Sequence, residues 1–112
     1  MMFKNCALFF VTLMFVQSVS ARNVTDATID KVRPDNWQSG GIFLSTTGGT
    51  TTNSGTCTSD GWYFINKNNN PMLNELLSVA LSAKVSGSSV TVWGNGICTE
   101  NSYEGIRYIE LK

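Results

Sequence analysis

Apolar and polar positions divide this chain into a leading apolar block, several short strand-like runs and one helical run. The block runs from Cys6 to Val16, follows Lys4 and precedes the stretch Gln17 to Ala21. A basic start, an apolar core of about a dozen residues and small residues before a cut are the parts of a secretory signal peptide. A membrane span needs about 20 apolar residues, more than the block offers. Val19 and Ala21 meet the peptidase's need for small residues. Cleavage is therefore expected after Ala21, leaving residues 22–112 as a single domain. The expected location is secreted or periplasmic, with no membrane span after cleavage.

Beyond the block, Ala27 to Val32 alternates weakly, with Thr28, Asp30 and Val32 on one side and Ile29 and Lys31 on the other. This predicts a first strand, ended by Pro34-Asp35-Asn36. Ile42 to Thr46, after Gly40-Gly41, predicts a second strand, and Trp62 to Ile65, introduced by Gly61, a third. Between them, Gly48 to Asp60 reads as a Thr/Ser/Gly/Asn loop carrying Cys57. Leu73, Leu76, Leu77, Ala80 and Leu81 recur at helical spacing and predict a helix over Met72 to Ser86. Asn70 suits its N-cap, Pro71 its first residue, Lys84 its last turn and Gly87 its left-handed end. Val90 to Trp93 predicts a fourth strand, closed by a Gly94-Asn95-Gly96 turn. Ile106 to Leu111 predicts a fifth, with Tyr108 and Glu110 opposite Arg107, Ile109 and Leu111. The predicted order is β-β-β-α-β-β, mainly β with one helix.

Composition narrows the chemistry. Lys4 leaves with the leader, so 7 basic residues face 8 acidic ones and the formal charge is −1. Such a balance offers no basic face for nucleic acid or an anionic membrane. Cys6 also leaves, so Cys57 and Cys98 have only each other in an oxidising compartment. A disulfide closing that loop is worth roughly 4 kcal/mol in the chain-entropy model. Two cysteines in a chain with no histidine make a poor zinc site.

The absence of histidine also removes the ordinary Ser-His-Asp and Cys-His arrangements. Glu100 and Glu104 lie in a polar loop and read as a solvated edge rather than a catalytic pair. Asp26, Asp30 and Asp35 lack the spacing of a metal loop, and the glycines match no phosphate-binding fingerprint. No catalytic residue, metal or cofactor is expected. Asn23-Val24-Thr25 is a formal glycosylation sequon.

A binding role fits better. Aromatic rings beside Asn, Thr and Ser can cover the apolar face of a sugar while amides and hydroxyls bond its hydroxyl groups. Trp93 shares a strand face with Thr91, opposite Val90 and Val92, and stands beside the turn that carries Asn95. Trp93 and Asn95 are the candidate glycan-binding residues, with burial of Trp93 in a core or subunit interface as the alternative. Trp62, Tyr63 and Phe64 read as core or interface, and Trp37 has no sequence neighbours that assign it to either class.

The stretch from Leu73 to Leu111, with its helix, its Val92-Trp93-Gly94-Asn95 and its last apolar strand, resembles the C-terminal half of the pentameric B subunits of bacterial AB toxins. The B subunits of cholera toxin and heat-labile enterotoxin are the members it resembles above all. The resemblance implies a five-stranded OB-like barrel with a helix between its third and fourth strands. It also implies a tryptophan stacked on a terminal galactose, at Trp93, and an asparagine bonded to that sugar, at Asn95. A homopentamer, a host glycan or glycoprotein receptor and a catalytic toxin chain are the implied partners. This sequence departs from the family at Thr91, where the family has a cysteine, and at Cys98, where the cysteine appears instead. The leading expectation is a glycan-binding, receptor-recognition subunit of a toxin-like assembly. The alternative is a small periplasmic or extracellular interaction or inhibitor protein of the same fold without sugar binding.

Overall fold

The computed structural model describes residues 21–53, 55–59 and 61–112, and the apolar block read as a signal peptide lies outside them. The described residues form β1 (Asn23–Asp35), β2 (Gly41–Thr47), β3 (Thr50–Asn53), β4 (Trp62–Asn66), α1 (Leu73–Ser86), β5 (Val90–Thr99) and β6 (Tyr103–Leu111). A short 3-10 turn at Trp37–Ser39 links β1 to β2. Six strands thus replace the expected five, in the order β-β-β-β-α-β-β.

The longest strand organises the rest. β1 pairs with β5 through Asn23, Val24 and Ala27, and with β2 from Thr28 to Asp35. Irregularities between Val24 and Ala27, and between Ile29 and Lys31, bend it so that it serves both neighbours. Asp26 takes the positive φ of the first. The second overturns the predicted alternation, because Ile29 is buried and Val32 also packs against the core.

The additional strand continues β2. Thr47 pairs with Thr28 and Thr50 with Thr25, so β2 and β3 follow one another along β1. Gly48 and Gly49, both at positive φ, make the kink between them. A Cβ on Gly49 would overlap the Thr25 carbonyl oxygen and come within 2.9 Å of the Ala27 Cβ, so the crossing needs glycine. All four residues of β3 are exposed. With no buried face there is no alternation to read, which explains the loop predicted from Gly48 onward.

The pairings close on themselves, β1 to β2, β2 to β4, β4 to β6, β6 to β5 and β5 back to β1. All are antiparallel except β4 with β6, which meet in parallel at Tyr63 and Glu104. The enclosed core takes Ile42 and Leu44 from β2, Tyr63 and Ile65 from β4, Val90 and Val92 from β5, and Ile106 and Ile109 from β6. Each aliphatic side chain removed from water this way is worth about 1.5–3 kcal/mol. A register shift between Trp93 and Gly94 lets Ile106 and Ile109 both turn inward and leaves Arg107 exposed, while Leu111 keeps the Ile109 face but is exposed at the end of the strand.

α1 packs against β1 and β6. Its core-facing stripe is Leu76, Ala80 and Ala83, with Leu73 and Leu77 packed against the core as predicted, whereas Leu81 is exposed and Ala83 takes its place. The small alanines let the helix approach the sheet closely. Asn70 lies before the first turn, where its side chain accepts the Met72 N–H at 3.0 Å and donates to the Ile106 carbonyl at 3.2 Å. Gly87 ends the helix in the left-handed conformation, as expected. Lys84 donates to the Asp30 carbonyl at 2.8 Å and ties the helix to β1.

Candidate functional site

The outward faces of the strands carry two aromatic groups. On the first, Trp93 of β5 lies opposite Tyr108 of β6, and the rings stack at 5.7 Å with 21° between their planes. Trp93 is half-buried and Tyr108 exposed. Val90 and Val92 fill the interior, and Trp93 takes the opposite strand face, as its alternation with them predicted. Tyr108 was not singled out by sequence, because its position opposite Trp93 depends on cross-strand register.

Asn95 sits within the second irregularity of β5, between Gly94 and Cys98. Its side-chain oxygen accepts the Ile97 N–H at 2.9 Å. Its amide nitrogen lies over Gly105, where a Cβ would come within 2.5 Å. The residue therefore holds the shape of the β5–β6 segment. The expected Gly94-Asn95-Gly96 turn is instead an irregular stretch within β5.

The second group is larger. Phe43 and Phe64 alternate out of the main core from β2 and β4, yet both are buried. Trp37 covers them, with its ring 5.6 Å from Phe43, 5.0 Å from Phe64 and 5.5 Å from Tyr103. The Trp62-Tyr63-Phe64 run thus divides, Tyr63 entering the core while Trp62 and Phe64 join this outer cluster. Beside it is a cleft of about 270 Å³ lined by Arg33, Asp35, Trp37, Phe43 and Tyr103.

Local chemistry places those walls. The Asp35 carboxylate accepts the Trp37 N–H at 2.9 Å, fixing the turn that swings the indole onto Phe43. Its other oxygen lies 3.4 Å from the Arg33 Nε. The guanidinium stands 4.7 Å above the Phe43 ring and 5.5 Å from that of Trp62. Three aromatic residues, a cation and a carboxylate therefore line one concavity. In sequence, Pro34-Asp35-Asn36 reads only as the end of a strand. The local signal for the turn is Asp35 two residues before Trp37, the spacing of a side-chain-to-backbone turn.

A hollow of about 390 Å³ along α1, lined by Asn74, Glu75, Ser78 and Val79, draws on a single element and has no ring. Among the described residues, no group of three His, Cys, Asp or Glu could hold a metal ion. No described helix is long and apolar enough to cross a membrane. Asp30 is held below the usual carboxylate value, first by its hydrogen bond from Lys31, and Lys112 is raised, first by its hydrogen bond to Asp26. Both are exposed surface pairs that add little stability.

Two sequence readings change. Glu104, expected on a solvated edge with Glu100, is almost wholly buried, while Glu100 is exposed. Asn23 of the sequon is buried in β1 between Asn53 and Trp93, a poor position for a glycan acceptor. Cys57 and Cys98 form the expected disulfide, with Cα atoms 5.5 Å apart. No protein-family model, curated protein or solved structure matches this chain.

Proposed function

We propose that this protein is a secreted, non-catalytic glycan-binding protein, acting as the receptor-recognition subunit of a toxin-like assembly. The observation that carries the reading is the cleft at Arg33, Asp35, Trp37, Phe43 and Tyr103. Ring faces suit the C–H face of a sugar, and the Arg33–Asp35 pair offers both donors and acceptors to its hydroxyl groups. Trp93 with Tyr108 supplies a second, flatter ring surface for further residues of an extended glycan. Asn95 supports a sugar contact less well, since its oxygen is already engaged by Ile97.

The closed pairing ring, with one parallel pair and a helix before β5, is the arrangement expected of an OB-type barrel. Two features support assembly into the homopentamer that the resemblance implies. β3 ends the sheet order with a polar edge open to another chain. Met72, Leu81 and Val85 leave apolar side chains of the α1 region exposed, Val85 at 88%. Linked sites would raise apparent affinity by about 100-fold or more with no new contact.

Glycan-array binding of the purified mature protein tests the reading. Arg33→Ala is expected to weaken binding by about tenfold or more. The Arg33 side chain is largely exposed, so folding should be preserved. Trp93→Ala should reduce binding to longer glycans and lower stability only modestly, since its ring is half-buried. A mature protein that binds no glycan would defeat the proposal. Wild-type binding by both variants would defeat the site while leaving the fold untouched. Light scattering that gave a clean monomer would favour the interaction or inhibitor alternative.

A further inference from the structure

Glu104 is 1% exposed, and its carboxylate is held by main-chain donors. The Arg22 nitrogen donates to both oxygens, at 3.1 and 2.9 Å, and the Gly96 N–H donates to Oε2 at 2.9 Å. No ion pair with a described cationic group reaches it. A carboxylate buried among neutral donors is costly unless a positive charge joins it. The residue presenting its nitrogen is the one that follows the expected cleavage point, Ala21.

We infer that removal of the leader turns this hydrogen bond into a buried ion pair, the new α-ammonium of Arg22 locking onto Glu104. Hydrolysis of the Ala21–Arg22 peptide bond by the signal peptidase consumes one water. It leaves a carboxylate on Ala21 and an amine on Arg22, which takes up a proton at neutral pH. The nitrogen is already in place, so the charge appears beside its partner with no rearrangement.

The surroundings are built for this position. The Arg22 carbonyl accepts from the Gly94 N–H at 3.0 Å and from the Tyr63 hydroxyl at 3.1 Å. The Arg22 guanidinium stacks 4.2 Å over the Tyr63 ring and reaches the Ser59 and Trp62 carbonyls at 3.4 and 3.5 Å. Arg22 thereby joins β4, β5, β6 and the segment carrying Cys57. Processing would thus do more than release the protein from the membrane. It would complete the electrostatics of the fold after export, leaving the precursor the less stable form.

The inference rests on the secretion reading and is independent of glycan binding. Intact mass of the exported protein should give Arg22 as the first residue, and any other start overturns the proposal together with that cleavage reading. The remaining tests compare mature chains released from a fusion with either Arg22 or Ala21 first. Ala21 is accommodated, partly exposed, in the structure, so retaining it makes the Arg22 nitrogen a neutral amide again and moves the free ammonium one residue away from Glu104 without a clash. Its retention should lower the melting temperature by about 8 °C. In a Glu104→Gln background, the two chains should melt together. Equal melting of the two Glu104 chains would overturn the ion pair even if processing occurs at Ala21. A second measurement needs no variant. In the native Arg22-first protein, the α-amine should react with an N-terminus-selective aldehyde roughly tenfold slower than in urea. Free reaction in the folded state would likewise overturn it.

Discussion

Removing the Cys57–Cys98 disulfide is expected to destabilise the mature protein by about 4 kcal/mol, or roughly 20 °C in melting temperature. The bridge ties the segment before β4 to the far end of β5, across a sequence separation of 41 residues. Among the described residues, few other bonds hold that segment. Thr58 and Ser59 donate to the Asn101 and Ser102 carbonyls at 3.0 and 2.8 Å, and the Arg22 guanidinium reaches the Ser59 carbonyl. Those bonds preserve the native position once formed, but they do not restrict the unfolded chain. Urea unfolding of the native protein and of a Cys57→Ser/Cys98→Ser variant measures the difference. A loss below about 1 kcal/mol would mean that the local bonds, and not the covalent link, hold the loop.

Gly94→Ala is expected to be comparably damaging, costing about 4 kcal/mol or preventing folding. A Cβ there would overlap the Glu104 carboxylate and come within 2.9 Å of the Arg22 carbonyl oxygen. Glu104 has no route outward, because it is almost wholly buried. The methyl must therefore displace the carboxylate from the Arg22 and Gly96 N–H groups, or push β1 away from β5. Gly87→Ala is the control, since it too replaces a glycine. Gly87 has φ of 70° but nothing within 4 Å of its added Cβ, so its loss should cost about 1 kcal/mol. Thermal melts of both variants separate crowding from backbone strain. Equal costs would show that the Glu104 cradle is more yielding than its geometry implies.

The same cradle marks the limit of sequence reading. Gly94-Asn95-Gly96 carries the composition of a turn, and Glu104 sits in a polar stretch that resembles a solvated loop. Neither fragment reveals the other, because the contact is set by the β5–β6 register. The aromatic cleft is hidden for a similar reason. Arg33, Asp35 and Trp37 are close in sequence, but Phe43 and Tyr103 join them only once β1, β2 and β6 are in place. The strand face of Trp93 was legible, since alternation with Val90 and Val92 acts within one strand, whereas its half-burial beside Tyr108 was not.

The sequence by itself determined the mainly β class, the single helix and its glycine end, and the Cys57–Cys98 pairing. Each depends on local periodicity, on one residue's backbone freedom or on counting cysteines. Only the tertiary structure decided the extra strand β3, the exposure of Leu81 on α1 and the bulges that redirect β1 and β6. It alone buried Glu104 and divided Trp62-Tyr63-Phe64 between two clusters. Those outcomes turn on which strands meet and in what register. A shift of one residue reverses every side chain that follows, and no short window of sequence contains the partner that sets it.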